Sequence, residues 1–422
     1  MAKGNIIIGL DIGSGTIKAL AVYKPKKKER LEVLGFAEEI SSGVRKGVVI
    51  NPDEVSVIIR SVFKKISEKI NQNPSRSKGW RRTNVLRGVN SIYVNVGGSH
   101  IFCTGSRGLV SVSRADQKIS PEDVERVLQA ARTFPLPSNR EVLEVLPKEF
   151  IIDGEKGIKE VLGMHGVRLE AEVLVLGGFA PYIKNLTEAV LNSGLQINDL
   201  VISPISSSRA VLGLREKELG VALLDIGAGT TGLAVFEERD LIHLAILPIG
   251  SGHITNDIAI GLKTDIDIAE RIKLEFGTSS FQGSDKKEKI KLSEGETLVF
   301  SRKQLSKIIE ARVLEIFKEV NKELKKISHQ QLLPAGIVLT GGGAKLPKIK
   351  EFAKREFRLP CRLGRPQGFS SNQEDPRMAA VCGLVLRGLD LESEKLGFGG
   401  GFSIRGKGIG SRIKKMFKIF VP

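Results

Sequence analysis

The chain has 422 residues, room for two or more domains at roughly 100–200 residues each, and 41% of them are hydrophobic against 5% aromatic, so its cores rest on Ile, Leu and Val and wholesale disorder is excluded. Its 65 basic and 48 acidic residues leave a net charge of +17, which suits an anionic partner, nucleic acid or acidic lipid, and says nothing about fold. The three cysteines, Cys103, Cys361 and Cys382, are odd in number, far apart and form no CxxC pair, which argues against a disulfide framework or a zinc site and for buried thiols in a reducing cytosol.

At the N-terminus, Ile6-Ile7-Ile8 is too short for a signal-peptide core, and no uncharged apolar stretch nears the roughly 18 residues of a transmembrane helix. The protein is therefore expected to be made and kept in the cytoplasm. The same apolar run leads into Leu10-Asp11-Ile12-Gly13-Ser14-Gly15-Thr16, and a second one, Ile17 to Val22, follows. This reads as a β-hairpin with a glycine turn. The motif returns 214 residues later as Leu224-Asp225-Ile226-Gly227-Ala228-Gly229-Thr230, identical at six of seven positions, between the runs Val221 to Leu224 and Leu233 to Phe236. Glycines at such turns let backbone N–H groups approach a phosphate, and Ser14, Thr16, Thr230 and Thr231 add hydroxyl donors. Each hairpin presents one carboxylate, Asp11 or Asp225, which together suit a hydrated Mg²⁺ that keeps several waters. One copy alone is as readily a tight hairpin; two copies favour a polyphosphate site.

After the first hairpin come a second strand pair, Leu31 to Gly47, and a helix from Asp53 to Ile70 with apolar residues at helical spacing. The run Asn71 to Arg87 holds Arg76, Lys78, Arg81, Arg82, Arg87 and Trp80 with no acidic residue; it reads as a solvated loop, and with no nucleic-acid-binding fold around it no nucleic-acid partner is expected. From Ile92 to about Leu169 the pattern becomes short strands (Ile92 to Val96, Gly108 to Val112, Glu144 to Ile152) around a helix, Pro121 to Ala131, capped by Ser120. This predicts a small inserted α+β module at 89–169, after which the strand Glu172 to Leu176 returns to the main body. Residues 251–331 hold helices Asp265 to Glu275 and Lys303 to Lys326, separated by a charged loop, Ser284 to Glu296. A third glycine cluster, Thr340-Gly341-Gly342-Gly343-Ala344, follows a strand and precedes a helix from Pro347 to Phe357, so that a flat base or sugar can lie against its backbone. No GxxxxGK[ST] sequence is present to support a P-loop mechanism.

Two phosphate hairpins followed by TGGGA resemble the actin/heat-shock-chaperone/sugar-kinase ATPase superfamily, and within it the bacterial cell-division FtsA family. Supporting stretches are Glu218-Leu219-Gly220, Ile254-Thr255-Asn256-Asp257-Ile258-Ala259 and Ala269-Glu270-Arg271-Ile272-Lys273. The resemblance covers nearly the whole chain. It implies an α/β, actin-like, two-lobed ATPase fold: subdomain 1A at 1–88 with 170–204 and about 370–388, 1C at 89–169, 2A at 205–250 with 332–369, and 2B at 251–331. It implies ATP and Mg²⁺ as ligands, held by Asp11, Gly13, Ser14, Gly15, Thr16, Lys18, Asp225, Gly227, Gly229, Thr230, Thr231, Gly341, Gly342 and Gly343. Glu270 and Lys273, one helical turn apart, would bracket the adenosine; on residues alone they are equally a surface ion pair. Ser203-Pro204-Ile205-Ser206-Ser207-Ser208 and Glu374-Asp375-Pro376-Arg377-Met378-Ala379-Ala380 match the connections between lobes. Hydrolysing relatives carry Glu before that first proline, where this chain has Ser203, so ATP binding is expected with slow or negligible turnover and no catalytic residue is assigned. The resemblance also implies that the 2B subdomain receives the acidic-apolar C-terminal peptide of FtsZ, to which a basic face of Arg302, Lys303, Lys307 and Arg312 is suited while each alone is equally a solvated helix residue, that the chain self-associates into filaments, and that the inserted module binds later division proteins.

Residues 389–410 are Gly-rich and read as a flexible linker. They lead to 411–422, where Ile413, Met416, Phe417 and Phe420 fall on one helical stripe with Lys414, Lys415, Lys418 and Arg412 around it. A glycine tether joined to a basic, Phe-containing segment suits an interfacial membrane helix better than a packed one. Four such side chains at ~1.5–3 kcal/mol each, discounted for partial burial and helix ordering, and cations at ~1 kcal/mol apiece give reversible attachment. Several tails on one polymer gain ~10²–10⁴ in avidity. The expected location is the cytoplasmic side of the cell membrane at the septum. A PilM-like pilus-assembly scaffold is the nearest alternative, ahead of a sugar or acetate-type kinase, which leaves the tail without a role.

Overall fold

Both expected glycine hairpins form, and each lies at the centre of a five-stranded sheet. The computed structural model describes residues 6–24, 30–72, 91–133, 136–281, 283–291, 297–327, 333–370 and 374–395. In the first sheet β1 (Ile6–Ile12) pairs antiparallel with β2 (Thr16–Tyr23), Ile12 opposite Ile17, and β3 (Glu32–Ile40) extends β2 on its far side. The segment expected to form a strand pair, Leu31 to Gly47, thus divides: β3 joins β2, while β4 (Val44–Arg45) turns tightly into β5 (Val48–Val49). Helix α1 (Pro52–Gln72) starts at a proline whose missing N–H costs nothing there, with the Asn51 side chain accepting from the Glu54 N–H. It buries Val55, Ile59, Val62, Ile66 and Ile70 on one stripe.

β6 (Ser91–Val96) runs parallel to β1 in this same sheet, Leu10 opposite Val94. Its residues Ile92, Tyr93, Val94 and Val96 are all buried, the signature of a central parallel strand covered on both faces. It therefore does not belong to the inserted module as expected. That module forms a second compact unit, residues 101–180, whose antiparallel sheet is built from β7 (Phe102–Ser111), β8 (Arg140–Ile152), β9 (Glu155–Ile158) and β10 (Arg168–Phe179) in the order β7-β10-β8-β9. The strand around Glu172 to Leu176 is the middle of β10 and pairs on both sides within the module, so the expected boundaries at 89 and 169 move to 101 and 180. Helix α2 (Pro121–Arg132) has the Ser120 cap, reciprocated by Asp123, and lays Val124, Val127, Leu128 and Ala131 on Leu169, Ala171, Val173 and Val175.

The chain then adds α3 (Ala180–Asn192) and β11 (Gln196–Ile202), completing the order β11-β6-β1-β2-β3. Helices α4 (Ser203–Val211) and α5 (Leu214–Leu219) lead to β12 (Val221–Ile226), β13 (Thr231–Glu237) and β14 (Asp240–Leu247). Helices α6 (Ser251–Leu262) and α7 (Ile266–Phe276) follow. The charged stretch expected to be a loop contains a strand: β15 (Lys287–Lys291) pairs with β16 (Thr297–Ser301), because Ile290 and Phe300 are buried beneath their charged neighbours. Helix α8 (Arg302–Lys326), capped by Ser301, carries the core stripe Leu305, Ile309, Val313, Phe317, Val320 and Leu324. β17 (Ile337–Thr340), α9 (Ile349–Phe357) and β18 (Cys361–Leu363) complete the order β14-β13-β12-β17-β18. A one-turn 3₁₀ segment, Gly342–Lys345, uses the glycine cluster, so α9 begins two residues later than expected.

The two sheets share one topology. In each, an antiparallel hairpin and a third strand lie to one side of the first strand, and two parallel crossover strands lie to the other. The sequence echo is the visible part of this duplication. Helix α10 (Ala379–Lys395) closes the arrangement and runs past 389, where the Gly-rich linker was expected to start, since Leu389, Leu391, Glu392, Glu394 and Lys395 are good helix formers and the glycines of the tail begin at 397. Residues 396–422, like those around Trp80, lie outside the described residues.

α10 packs on β1 at Gly9 and on α4 at Gly383, where an added Cβ would lie 1.7 Å from the Ser206 carbonyl oxygen. Gly383→Ala is expected to cost about 3 kcal/mol, read as a drop in melting temperature, while Gly105→Ala, whose Cβ meets nothing within 4 Å, should stay within about 0.5 kcal/mol.

Candidate functional site

The two hairpin turns close alike: the Gly13 N–H donates to Thr16 O at 3.2 Å and the Gly227 N–H to Thr230 O at 2.8 Å. They also meet each other. A Cβ on Gly15 would lie 2.9 Å from Ala228 Cβ, and one on Gly229 would lie 2.7 Å from Ser14 Oγ. The glycines thus serve the close approach of the two turns as well as access to their amides. Ser14 Oγ accepts from the Gly47 N–H at 2.7 Å, which leaves its own proton to donate outward.

Behind the turns stand the two carboxylates. Asp11 is buried; Lys18, opposite it in the hairpin register, donates to Oδ2 at 3.2 Å and Asn95 Nδ2 donates to Oδ1 at 2.7 Å. Asn95 is itself fixed, accepting from the Ile12 N–H at 2.7 Å and donating to Ser203 Oγ at 3.1 Å. Asp225 accepts from Ser207 Oγ at 2.5 Å, and the missing Cβ of Gly341, at φ +83°, makes room for its Oδ1. Burial pushes the Asp225 carboxyl up to about 6 against the lowering effect of the Ser207 hydroxyl, and the Asp11 charge adds to the rise. Two carboxylates so close favour a cation between them. Among the described residues no three His, Cys, Asp or Glu side chains gather to cage a metal, so the pair suits a hydrated Mg²⁺ carried with a polyphosphate rather than an all-protein site.

Helix α6 abuts the second turn with its N-terminus. The Ser251 and Gly252 N–H groups donate to Gly227 O and Ala228 O, both at 2.8 Å, and a side chain on Gly250 would strike the same carbonyls. One turn along, Thr255 joins Glu270 and Lys273: Lys273 Nζ lies 2.6 Å from Glu270 Oε2 and 2.8 Å from Thr255 Oγ1, while Thr255 Oγ1 donates to Glu270 at 2.5 Å. Lys273 Nζ also reaches Ser251 O at 3.4 Å. The expected adenosine pair is therefore tied to the second glycine turn by a polar chain through α6. Gly341 lies against Asp225 and Ile226 and Gly343 against Ile226 at the same turn, while Gly342 faces Arg377.

Three sequence expectations need correction. Thr231 does not offer its hydroxyl to a phosphate, because it is fully buried and donates to Ile249 O at 2.8 Å. Arg312 is not an open cation on α8; its guanidinium forms a bidentate pair with Asp257 of α6 at 2.6 and 2.7 Å and a third bond to Glu315. Arg302 likewise leans on Glu288 at 3.6 Å, which leaves Lys303 and Lys307 as the exposed cations of that face. Beside them, where Gln304 reaches Gly261 O and Ile308 fills the space over Gly261, a depression of about 420 Å³ is lined by Ala259, Ile260, Lys263, Thr264, Asp265 and Ile268. Ile413, Lys414, Lys415, Met416, Phe417, Lys418 and Phe420 lie outside the described residues. The sequence singles out neither Asn95 nor, beyond its place in a lobe connection, Ser207; a lone polar residue inside the apolar run Ile92 to Val96 was the available signal for the first.

The family model described as "Cell division protein FtsA" matches residues 222–383, and that described as "SHS2 domain inserted in FTSA" matches 98–176, the region of the module β7 to β10. The cell division protein FtsA of Pseudomonas aeruginosa is 36% identical over 398 residues, covering 93% of this chain and 91% of that one. The Bacillus subtilis cell division protein FtsA is 31% identical, covering 94% and 87%. Among solved structures, the PilM-PilN type IV pilus biogenesis complex aligns with a TM-score of 0.63 at 18% identity over 91% of this chain and 98% of that one. MreB5 of Spiroplasma citri bound to ADP aligns at 0.54 and 11%, over 93% and 98%. These structural likenesses bear on fold alone, which is the actin-like, two-lobed ATPase fold with an inserted module, and on all these grounds the chain belongs to the FtsA family of cell division proteins.

Proposed function

We propose that this division protein binds Mg·ATP between its two glycine turns, assembles on the inner face of the cytoplasmic membrane at the septum, tethers FtsZ filaments there and recruits later division proteins. The observation that carries the reading is the pairing of Asp11 and Asp225 behind two abutting, topologically equivalent turns. In this reading Ser14 to Thr16 and Ala228 to Thr230 offer amides and hydroxyls to the phosphates on turns that Gly13 and Gly227 close, Lys18 steadies Asp11, and Glu270, Lys273 and Gly341 to Gly343 border the adenosine. Bound Mg²⁺ would supply the countercharge for both carboxylates and the polyphosphate. Ser203, at the position where hydrolysing relatives carry Glu, donates to Val96 O at 3.1 Å and is no base, so turnover is expected to be slow or negligible. Recruitment is assigned to the inserted module, and attachment to residues 411–422 by the stripe Ile413, Met416, Phe417 and Phe420. A pilus scaffold like PilM shares the fold, but the relatives of highest identity cited above are division proteins.

The Asp225 shift sets a pH dependence. The folded carboxyl keeps its proton between 3.8 and about 6 while the unfolded one has lost it, so this group favours the folded metal-free chain at low pH, and the benefit fades as pH rises through about 6. Cation binding needs the ionised form. Titration with Mg·ATP is therefore expected to show affinity rising from pH 5 to 7. Asp225→Asn should flatten that rise, weaken Mg²⁺-dependent binding about tenfold, and raise the melting temperature of the metal-free protein at pH 7.5 by a few degrees.

The partner face gives a second test. Lys303 and Lys307 are one turn apart on α8 and exposed, so Lys303→Glu with Lys307→Glu should weaken the acidic-apolar FtsZ peptide about tenfold. Arg312→Glu should instead lower thermal stability by leaving Asp257 without its partner. Unchanged peptide affinity in the double lysine variant would remove this assignment. Phe417→Glu with Phe420→Glu should release the protein from anionic liposomes in co-sedimentation; sedimentation equal to the parent's would count against the tail.

A further inference from the structure

The hairpin β4–β5 turns through Lys46 and Gly47, both left-handed at φ +49° and +77°, the backbone of a type I′ turn. Glycine and asparagine suit the first of these positions; a lysine there holds an unfavourable backbone. The turn is seated at the seam of the site. Gly47 donates its N–H to Ser14 Oγ at 2.7 Å. A Cβ on Gly229 would lie 3.2 Å from Lys46 Cα, and one on Gly47 would lie 2.7 Å from the Gly98 amide nitrogen. The β4–β5 turn therefore touches both glycine turns, Gly47 on the first and Lys46 on the second, and the Lys46 side chain is exposed with no ion-pair partner among the described residues.

We propose that Lys46 is a ligand for the terminal phosphate of a nucleoside triphosphate, a role that rests on the reading of the paired turns as a nucleotide site. The direction of the nucleotide follows from that reading. Glu270, Lys273 and Gly341 border the second turn, so a base held there sends its phosphates toward the first turn, and the outermost phosphate meets the group seated on Ser14 and Gly229. An ammonium on a four-carbon stem spans the distance from such a backbone position to a phosphate between the turns, and it acts as a movable point charge without needing fork geometry. The Gly47–Ser14 hydrogen bond makes the contact reciprocal: a phosphate that draws the Ser14 hydroxyl also steadies the hairpin carrying Lys46. Lys46 thereby distinguishes triphosphate from diphosphate, and does so on an element that no motif of the sequence singles out.

The test is calorimetric titration of the full chain with Mg·ATP and Mg·ADP, comparing Lys46→Asn, which suits the left-handed turn and removes the charge, with Lys46→Arg, which keeps the charge. Lys46→Asn is expected to weaken ATP about tenfold and ADP less than about twofold, with Lys46→Arg recovering most of the loss. Equal weakening of both nucleotides, or no weakening of either by a variant whose melting temperature matches the parent's, overturns the role of Lys46 while leaving the nucleotide site intact. If the unaltered chain binds neither nucleotide, the reading of the site fails and this inference with it.

Discussion

Two like charges held in one place govern the site. Duplicated sheets bring Asp11 and Asp225 to the ends of equivalent strands, and the turns beyond them touch through Gly15 and Gly229. The two carboxylates are treated differently. Asp11 has a lysine and an amide as donors, whereas Asp225 has one hydroxyl and sits so that burial and its neighbour keep its proton up to about pH 6. Lys18 bears on both, bonded to Asp11 and acting at longer range on Asp225, and a divalent cation between the two would supply the rest of the countercharge.

The surrounding fold can be understood as the means of holding this pair. In each half the strand with the carboxylate is the middle one of five, buried on both faces and pinned by a parallel neighbour, β6 for β1 and β17 for β12. The neighbours then contribute unlike second contacts. β6 supplies the Asn95 amide to Asp11; the residue after β17 is Gly341, whose bare Cα admits the Asp225 oxygen. Duplication thus fixed the backbone frame, and divergence of the flanking strands set the two electrostatic environments.

The hairpins could be read directly because a glycine turn between β-branched runs is a local pattern, and because it occurs twice. Of the helices, α1, α2 and α8 were equally legible, ending within two residues of where their apolar spacing and caps put them, whereas α3 and α6 were not anticipated. Non-local pairing was not legible. β6 and β10 have strand patterns that do not reveal which sheet takes them, and only partners such as Leu10 for Val94 and Leu169 for Ile152 decide it. Thr231 and Arg312 were misjudged for the same reason, since Ile249 and Asp257 are 18 and 55 residues away. Charge hid β15, where Ile290 is the one buried residue among lysines and a glutamate.

Helix α6 joins the two surfaces that matter most to the proposed function. At its start Ser251 and Gly252 hold the carbonyls of the second glycine turn; one turn later Thr255 binds Glu270 and Lys273; then Asp257 grips Arg312 of α8; and at its end Ile260 lines the depression and Gly261 O accepts from Gln304, the neighbour of Lys303. Twelve residues at about 1.5 Å each make this a rod of roughly 18 Å with no break in its polar contacts. Contiguity alone transmits nothing; a rod carries information only if something at one end has two positions. In the nucleotide reading that end is the second turn, because phosphates drawn to the amides of Ala228 to Thr230 would act on the same loop whose carbonyls anchor α6. The bidentate Arg312–Asp257 pair fastens α6 to α8, so the second glycine turn and the face carrying Lys303 and Lys307 are joined by one continuous set of contacts.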